Sequence, residues 1–341
     1  MRKLNCLLPF IFSLFISLPV FPNAAMPGIW TAGTGTSFYP LFKTDSLYCQ
    51  AIQMKSELIK VQLFPSYAIV EGDYIMVNES DSNITMHVGY PLNGTYNQQV
   101  VSYVTVSELK FLQLLMNDSL INSFQRVNVN EFANPLIDEK PYSNIKDWYI
   151  WNCTFKPGIN HIKVFYTVST DDALIRKGYS TKQGNAFTYV FESGNAWKGV
   201  IEKGEVFIQL KGGLNSSDLS GLLPNTFLSN DSILHFEFAN LEPLPENNLV
   251  IWYSKIKSQL TLDSSKMDLQ SWYESIDQWN TDSVDKSGLK PVSKNDFSAS
   301  TVENTFSEIF IVAIIIVPLV LGVVVIILLI NFFRKRAAKR K

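Results

Sequence analysis

Residues 147–168, DWYIWNCTFKPGINHIKVFYTV, alternate apolar and polar side chains on both sides of a Pro-Gly pair. A period of two is typical of a β-strand that buries one face and exposes the other. Pro157 and Gly158 occupy the central positions of a type II turn. We therefore predict a β-hairpin whose strands run from Asp147 to Phe155 and from His161 to Val168.

Short β-rich runs extend in both directions from this pair. The further predicted strands are residues 47–53, 58–64, 67–77, 83–90, 104–116, 187–191, 206–210, 233–238 and 249–253. Residues 104–116 also fit a helical stripe, but their flanking Val-Thr-Val favours a strand. Turn residues separate the runs at the spacing of hairpin-connected strands. The sequence thus predicts a mainly β fold, an antiparallel β-sandwich of two packed modules: an N-terminal β module at 26–140 and a C-terminal β-sandwich module at 141–255.

Several turn and core motifs follow one another in a characteristic order. They are Val70 to Pro91, Trp151 to Tyr166 with its Phe-Lys-Pro-Gly turn, Phe187-Thr-Tyr, Ser193-Gly194, Trp197-Lys198-Gly199 and Phe238 to Pro243. In this order they resemble an uncharacterised family of exported bacterial β-rich proteins, a domain of unknown function. The resemblance covers residues 45–255 and implies a β-rich envelope domain without an assigned reaction.

An apolar run near the C-terminus predicts a membrane span. Residues 309–333 contain no charged side chain, and about 20 apolar helical residues suffice to cross a bilayer. Six of the eight residues in the tail, 334–341, are Lys or Arg, which favours a cytoplasmic location for that end. A buried soluble helix is the alternative. We expect a single-pass type I protein of the cell membrane, with the lipid bilayer as a partner of residues 309–333 and an extracellular N-terminal part.

The N-terminus agrees with this orientation. Arg2 and Lys3 precede an apolar run from Leu7 to Phe21, and small residues follow at Ala24 and Ala25. This three-part pattern predicts a secretory signal peptide at residues 1–25. An uncleaved signal anchor is the alternative, which the two prolines near the end of the run disfavour.

The predicted external part is acidic. Without the signal peptide and the basic tail it contains 21 Lys and Arg against 31 Asp and Glu, a net charge of −10. A surface of this sign repels phosphate backbones. We therefore expect no nucleic-acid partner, and an unidentified protein or glycan partner instead.

A polar segment, residues 256–308, separates the predicted β modules from the span. Residues 267–279 fit a short amphipathic helix, either folded onto the sandwich or lying at the membrane surface. Its apolar side carries Leu269, Trp272, Ile276 and Trp279. We predict that residues 281–305 form a flexible stalk.

Two cysteines, Cys49 and Cys153, remain outside the predicted signal peptide. In an oxidising compartment such a pair more often forms a disulfide than a reactive thiol. Two separate buried thiols are the alternative.

No catalytic or metal-binding motif occurs in the sequence. His87, His161 and His235 lie on three different predicted strands and lack the spacing of a metal-binding pair. A nucleophile elbow, a P-loop and a dinucleotide-binding glycine motif are all missing. We predict no catalytic residue, no metal site and no cofactor.

Acidic side chains cluster twice, at Asp171-Asp172 and at Glu237, Glu242 and Glu246. A glycosidase needs two carboxylates about 5–10 Å apart in a cleft, and a calcium site needs several oxygen ligands in order. The sequence shows neither arrangement, so we interpret these groups as solvated charges.

Three tryptophans, Trp148, Trp151 and Trp197, offer planar rings that could stack on sugars. Core packing is the simpler interpretation of the same residues. Their exposure decides between the two.

Seven Asn-x-Ser/Thr triplets would accept glycans in a eukaryotic secretory pathway. They begin at Asn78, Asn83, Asn93, Asn117, Asn152, Asn215 and Asn230. The bacterial resemblance favours chance occurrence in an Asn-rich sequence.

The leading functional hypothesis is a non-enzymatic surface domain for binding, adhesion or envelope assembly. The alternative is a carbohydrate-binding or glycoside-hydrolase-type module on the same sandwich. A signalling role is disfavoured, because eight residues after the span cannot hold a signalling domain.

Overall fold

The computed structural model describes residues 27–32, 36–42, 44–92, 103–105, 108–128, 147–177, 180–191, 197–244, 247–253, 268–292 and 295–297, with Pro318 and Gly322. The described residues up to Asn295 belong to one compact unit, and those from Asp296 onward to a second. No helix among the described residues is long and apolar enough to cross a membrane. The predicted signal peptide, span and basic tail lie outside these residues, except that Pro318 and Gly322 are helical.

The first unit is mainly β, as predicted. The strands before residue 130 are β1 (Gly28–Ala32), β2 (Thr36–Pro40), β3 (Ile52–Leu63), β4 (Tyr67–Asn78), β5 (Ile84–Pro91), β6 (Tyr103–Thr105), β7 (Leu109–Met116), β8 (Ser119–Ile121) and β9 (Gln125–Asn128). Those after it are β10 (Asp147–Phe155), β11 (Gly158–Ser169), β12 (Ala173–Lys177), β13 (Ser180–Tyr189), β14 (Ile201–Leu210), β15 (Leu219–Leu223), β16 (Leu228–Ser229), β17 (Ile233–Leu241), β18 (Leu249–Tyr253) and β19 (Lys290–Pro291). Helices α1 (Ser46–Cys49) and α2 (Leu269–Asp277) accompany them. The start of the predicted strand 47–53 is therefore helical.

These strands form several sheets. A nine-stranded sheet has the order β19-β16-β17-β14-β3-β4-β11-β7-β8, and a five-stranded sheet has the order β15-β18-β13-β12-β6. A three-stranded sheet, β5-β10-β9, and the pair β1-β2 complete them. Pairing is antiparallel except between β3 and β14, which run parallel. The nine-stranded sheet is therefore mixed, and the prediction of purely antiparallel pairing is wrong at this one place.

The Pro-Gly turn does not close a hairpin. Strand β10 pairs with β5 and β9, whereas β11 pairs with β4 and β7, so the turn carries the chain from one sheet to another. Gly158 adopts φ +80° there, a conformation that side-chain-bearing residues resist. Both predicted strands are present, but the predicted pairing between them is wrong. They lie in different sheets, and each turns its apolar face toward the same core.

A second crossing, from β4 to β5, lies beside the first. Buried Asn78 joins the two, since its amide donates to the carbonyls of Ser82 (2.8 Å) and Phe155 (3.1 Å). These hydrogen bonds satisfy backbone carbonyls at the points where the chain passes from one sheet to the other.

One hydrophobic core connects the sheets. It includes Met54 and Tyr74 from the nine-stranded sheet, Phe155 from the three-stranded sheet, and Phe187 and Ile251 from the five-stranded sheet. Strands from both sides of residue 140 occur together in the largest sheet, where β4 pairs with β11 along its whole length. Described residues on both sides of position 140 therefore share one sheet and one compact unit.

The segment after the last long strand packs on the opposite face of the nine-stranded sheet. Helix α2 begins after Asp268, whose side chain accepts from the Ser271 amide (3.2 Å), and it buries Tyr273 and Ile276 against Tyr67, Ile69 and Phe165 of the sheet. Of the two predicted positions, the helix takes the one on the sheet. Farther along the chain, β19 pairs with β16, so this part of the predicted stalk belongs to the folded unit.

Candidate functional site

The face of the nine-stranded sheet beneath residues 268–292 carries a row of polar and aromatic side chains. His235 lies opposite Phe207, Phe207 opposite Lys60, and Lys60 opposite Glu71. Residues directly opposite one another on neighbouring strands share a face of the sheet. The row therefore runs across four adjacent strands.

Lys60 fastens α2 to this row. Its ammonium group donates to the carbonyl oxygens of Asp277 (3.0 Å) and Ile276 (3.4 Å) at the C-terminal end of the helix. The Ile276 carbonyl also accepts from the Trp279 amide (3.1 Å), and the negative end of the helix dipole favours a cation beside both carbonyls. Lys60 thus satisfies the helix end while remaining buried itself.

Glu71 is the most deeply buried charged residue of the row. It is 0 % exposed, and its Oε1 lies 3.3 Å from Lys60 Nζ and 3.8 Å from Lys163 Nζ. Burial raises the pKa of Glu71 to about 7, although both lysines act to lower it. The carboxyl group therefore holds its proton up to near-neutral pH.

A cleft opens between α2 and strands β7 and β11. We call it the α2 cleft, and its volume is about 180 Å³. Its walls are formed by Gln113, Leu115, Asp118, His161, Lys163, Phe165, Gln270, Tyr273, Glu274 and Asp277. The stacked rings of Phe165 and Tyr273 lie 5.3 Å apart, and the Tyr273 hydroxyl donates to the Phe111 carbonyl (2.6 Å). Apolar rings and charged groups thus line the same small space.

Acidic groups outnumber basic ones around the α2 cleft. Lys163 Nζ lies 2.6 Å from Asp277 Oδ1, and His161 Nε2 pairs with Asp73. The hydrogen bond with Asp73 raises the pKa of His161. Asp118 and Glu274 are exposed at the walls, so the cleft presents more negative than positive charge.

A second cleft, of about 290 Å³, lies beside β5 and β10. His87 contributes to it, and its Nδ1 lies 2.8 Å from Asp45 Oδ2. Asp45 also accepts from the His87 amide (2.9 Å), and the Phe42 ring stacks on the imidazole at 4.0 Å. The buried carboxylate and the stacked ring together fix the orientation of His87.

His235 lies at the far end of the polar row, under Lys286. It is 2 % exposed, and its Nε2 lies 3.5 Å from Glu205 Oε2. Burial and Lys286 lower the pKa of His235. Glu237, opposite Glu205 on β17, completes a group whose ligand atoms all lie within 4.8 Å of one another. Among the described residues this is the group whose side chains could hold a metal ion.

The three predicted sugar-stacking tryptophans are buried. Trp148, Trp151 and Trp197 are 1 %, 3 % and 0 % exposed. Trp197 packs edge-on against Phe155, and Trp151 borders the cleft beside His87. A ring without an exposed face cannot stack on a sugar from solvent, so these residues serve the core instead.

The two cysteines are buried thiols rather than a disulfide. Cys153 Sγ donates to Met116 Sδ at 3.7 Å. Burial raises the pKa of both thiols, that of Cys153 to about 12. The structure therefore corresponds to the second of the two sequence alternatives.

The Asn-x-Ser/Thr triplets differ in their surroundings. Asn78 is buried and holds the two sheet crossings together, so its amide cannot carry a glycan in the folded chain. Asn215 is half-buried at a short 3₁₀ turn, and Asn93 lies outside the described residues. The exposed ones are Asn83, Asn117, Asn152 and Asn230.

Two of the acidic residues noted in the sequence have local partners. Asp171 accepts from the Asn185 amide (3.1 Å), and Asp172 accepts from Gln183 (3.3 Å). Glu242 is half-buried, and Glu246 lies outside the described residues. Glu237 itself lies on β17. Its cross-strand neighbour is Glu205, which the sequence did not single out.

No protein-family model matches the chain, and no curated protein matches it. The solved structures that are similar in part include the following two. A Legionella pneumophila protein, described provisionally as nutrient binding, is 14 % identical over 68 % of this chain and 72 % of its own, with a TM-score of 0.42. A variant of an M1 zinc metallopeptidase from Deinococcus radiodurans is 10 % identical over 60 % of this chain and 42 % of its own, with a TM-score of 0.29. At such scores neither likeness carries an argument about function, and the resemblance to an exported bacterial family stays a prediction.

Sequence reasoning missed the polar row and both clefts. Lys60, Glu71 and Lys163 sit at single positions of three strands, and no local motif joins them. The one available signal was a charged side chain amid β-rich runs, as at Lys60 between Ile59 and Val61. A charged side chain of this kind needs an ion-pair or hydrogen-bond partner when another element covers its face of the strand.

Proposed function

We propose that this chain is a non-enzymatic, extracytoplasmic binding protein anchored in a membrane by residues 309–333. The α2 cleft holds its ligand, a small organic cation. One observation carries the choice of site: three exposed carboxylates, those of Asp118, Glu274 and Asp277, border the same cleft.

Charge and shape together support this ligand class. An ammonium group would be stabilised by the carboxylates, and an apolar portion would meet the apolar part of the cleft wall, which includes Leu115. Phe165 and Tyr273 are each 4 % exposed and present only a small part of their rings there. The volume of about 180 Å³ is below that of sites for drug-sized ligands, which span about 300–1,000 Å³. The cleft therefore suits a ligand of roughly ten heavy atoms or fewer.

Phenethylamine is a suitable probe, because it joins an ammonium group to one aromatic ring. Its neutral isostere, 2-phenylethanol, is the matched control ligand. We expect calorimetry on the full chain in detergent to show binding of the amine and much weaker binding of the alcohol. The double variant Asp118→Asn, Glu274→Gln should weaken amine binding, and the exposed control Glu79→Gln should leave it unchanged. Equal affinity for amine and alcohol would contradict the proposed ligand class.

The anchor is supported by the uncharged run and the basic residues that follow it. In cells, the full chain should stay with membranes through alkaline carbonate washing. A tag placed after Lys341 should be protected from protease added to intact cells. Release by carbonate, or cleavage of the tag from outside, would overturn this orientation.

The carbohydrate-binding alternative rested on Trp148, Trp151 and Trp197. Their burial leaves it without a stacking surface, and we do not carry it further.

A further inference from the structure

We propose that Glu205, His235 and Glu237 form a binding site for a transition-metal dication of the zinc class. An imidazole nitrogen and two carboxylate oxygens are the donors that such ions take in proteins. This site is distinct from the α2 cleft and does not depend on the function proposed for it.

Strand register brings the three side chains together. Glu205 lies directly opposite Glu237 on the neighbouring strand, and Phe207 lies opposite His235. His235 is therefore the diagonal neighbour of Glu205 on the same face of the sheet. The donor atoms lie within 4.8 Å of one another. An ion about 2.1 Å from each donor needs donors roughly 3–4 Å apart, so small side-chain movements complete the site.

His235 supplies the observation that points to a ligand. Its side chain is 2 % exposed, and neither ring nitrogen has a hydrogen-bond partner within the described part of the chain. Its Nε2 faces Glu205 Oε2 at 3.5 Å, too long for a good hydrogen bond. Buried polar groups are normally satisfied. A cation between His235 and the carboxylates would satisfy the imidazole nitrogen.

Two lysines already place positive charge at this position. Lys286 Nζ lies 2.6 Å from Glu205 Oε2, and Lys203 Nζ lies 2.8 Å from Glu205 Oε1. Despite partial burial, these ammonium groups hold the pKa of Glu205 at about 2. Both lysine side chains are more than 40 % exposed, so either can swing into solvent. The ammonium group of Lys286 therefore competes with the metal ion for the same carboxylate.

This competition gives the proposal a distinctive test. Zn²⁺ is titrated into the full chain in detergent, and the heat of binding is measured by calorimetry. Mg²⁺, for which imidazole is a poor ligand, serves as the comparison ion. We expect saturable Zn²⁺ binding at this site and none of Mg²⁺. Lys286→Met should bind Zn²⁺ about two- to fivefold more tightly, since an exposed ion pair contributes only a fraction of the energy of a tenfold change.

Ligand variants locate the site. Glu237 is exposed, so Glu237→Gln should remove this Zn²⁺ binding while the chain stays folded. His235→Gln tests the buried ligand, with far-ultraviolet circular dichroism as the check on folding. Glu202→Gln, an exposed position on the same strand as Glu205, is the matched control and should bind as the parent chain does. Zn²⁺ binding that Glu237→Gln and Lys286→Met leave unchanged, or no Zn²⁺ binding in either the parent or Lys286→Met, would overturn the proposal.

Discussion

Replacing Glu71 by Gln should change how the stability of the fold depends on pH. Glu71 is 0 % exposed, and burial raises its pKa from 4.5 to about 7. Between these two values the unfolded chain has released the proton and the native chain still holds it. Native stability therefore falls as pH rises through this window, because the folded state binds more protons than the unfolded state.

The magnitude follows from the shift. One pKa unit corresponds to about 1.4 kcal/mol, so a shift from 4.5 to about 7 is worth ~3 kcal/mol. Glu71→Gln removes the titrating group and keeps a side chain of the same size. The free energy of unfolding of the variant, minus that of the parent chain, should therefore increase by ~3 kcal/mol from pH 4.5 to pH 7 and stay constant above that range.

Urea unfolding of both proteins, followed by tryptophan fluorescence at half-unit pH intervals, measures this difference. Taking the difference cancels groups that both chains share, including His161, whose raised pKa also makes stability fall as pH rises. Glu79→Gln, at an exposed carboxylate after the same strand, should track the parent chain. Parallel profiles for Glu71→Gln and the parent would refute the reasoning, because they would mean that Lys60 and Lys163 keep Glu71 ionised in the native state.

Three other substitutions test the packing. Ile276→Ala should cost about 2–5 kcal/mol in urea unfolding, because the side chain is fully buried between α2 and the sheet; a loss below 1 kcal/mol would mean that α2 is not held there. Tyr189→Phe should cost about 1.5–3 kcal/mol, since its hydroxyl donates to buried Glu57 (2.7 Å) and bonds Tyr74 (2.7 Å); neutrality would contradict this network. Gly72→Ala should lower the thermal midpoint markedly, because a Cβ there would collide with the buried Tyr74 ring; an unchanged midpoint would show that the ring can move.

The strands themselves were predictable, because alternation is a local property. The run from Asp147 to Phe155 appears in the structure as predicted, since its apolar side chains recur every second residue and need one buried face. The partner of that strand was not predictable. Its pairing with β5 rather than β11 depends on contacts across 57 to 71 residues of chain, and a two-residue turn suits a sheet crossing as well as a hairpin.

The candidate site was predictable only in part. The apolar side of α2, with Trp272 and Ile276, was visible in the sequence as a helical stripe. The position of α2 on the sheet was not predictable, because Lys60 and the Asp277 carbonyl to which it donates are 217 residues apart in the sequence. The His235 group likewise joins two strands by register, and register has no local signature.

The amino-acid pattern alone was enough to predict the mainly β character of the folded unit, its acidic balance, and an exported chain with an apolar C-terminal run. These properties depend on composition and on short-range periodicity, which every window of the chain carries. Three further properties are visible only in the folded chain: the tryptophans are buried, Cys49 and Cys153 are separate thiols, and Glu71 lies beneath α2. Each of these outcomes depends on which distant strands become neighbours. The strands pair so as to bury a shared hydrophobic core, and no single segment of the sequence specifies that arrangement.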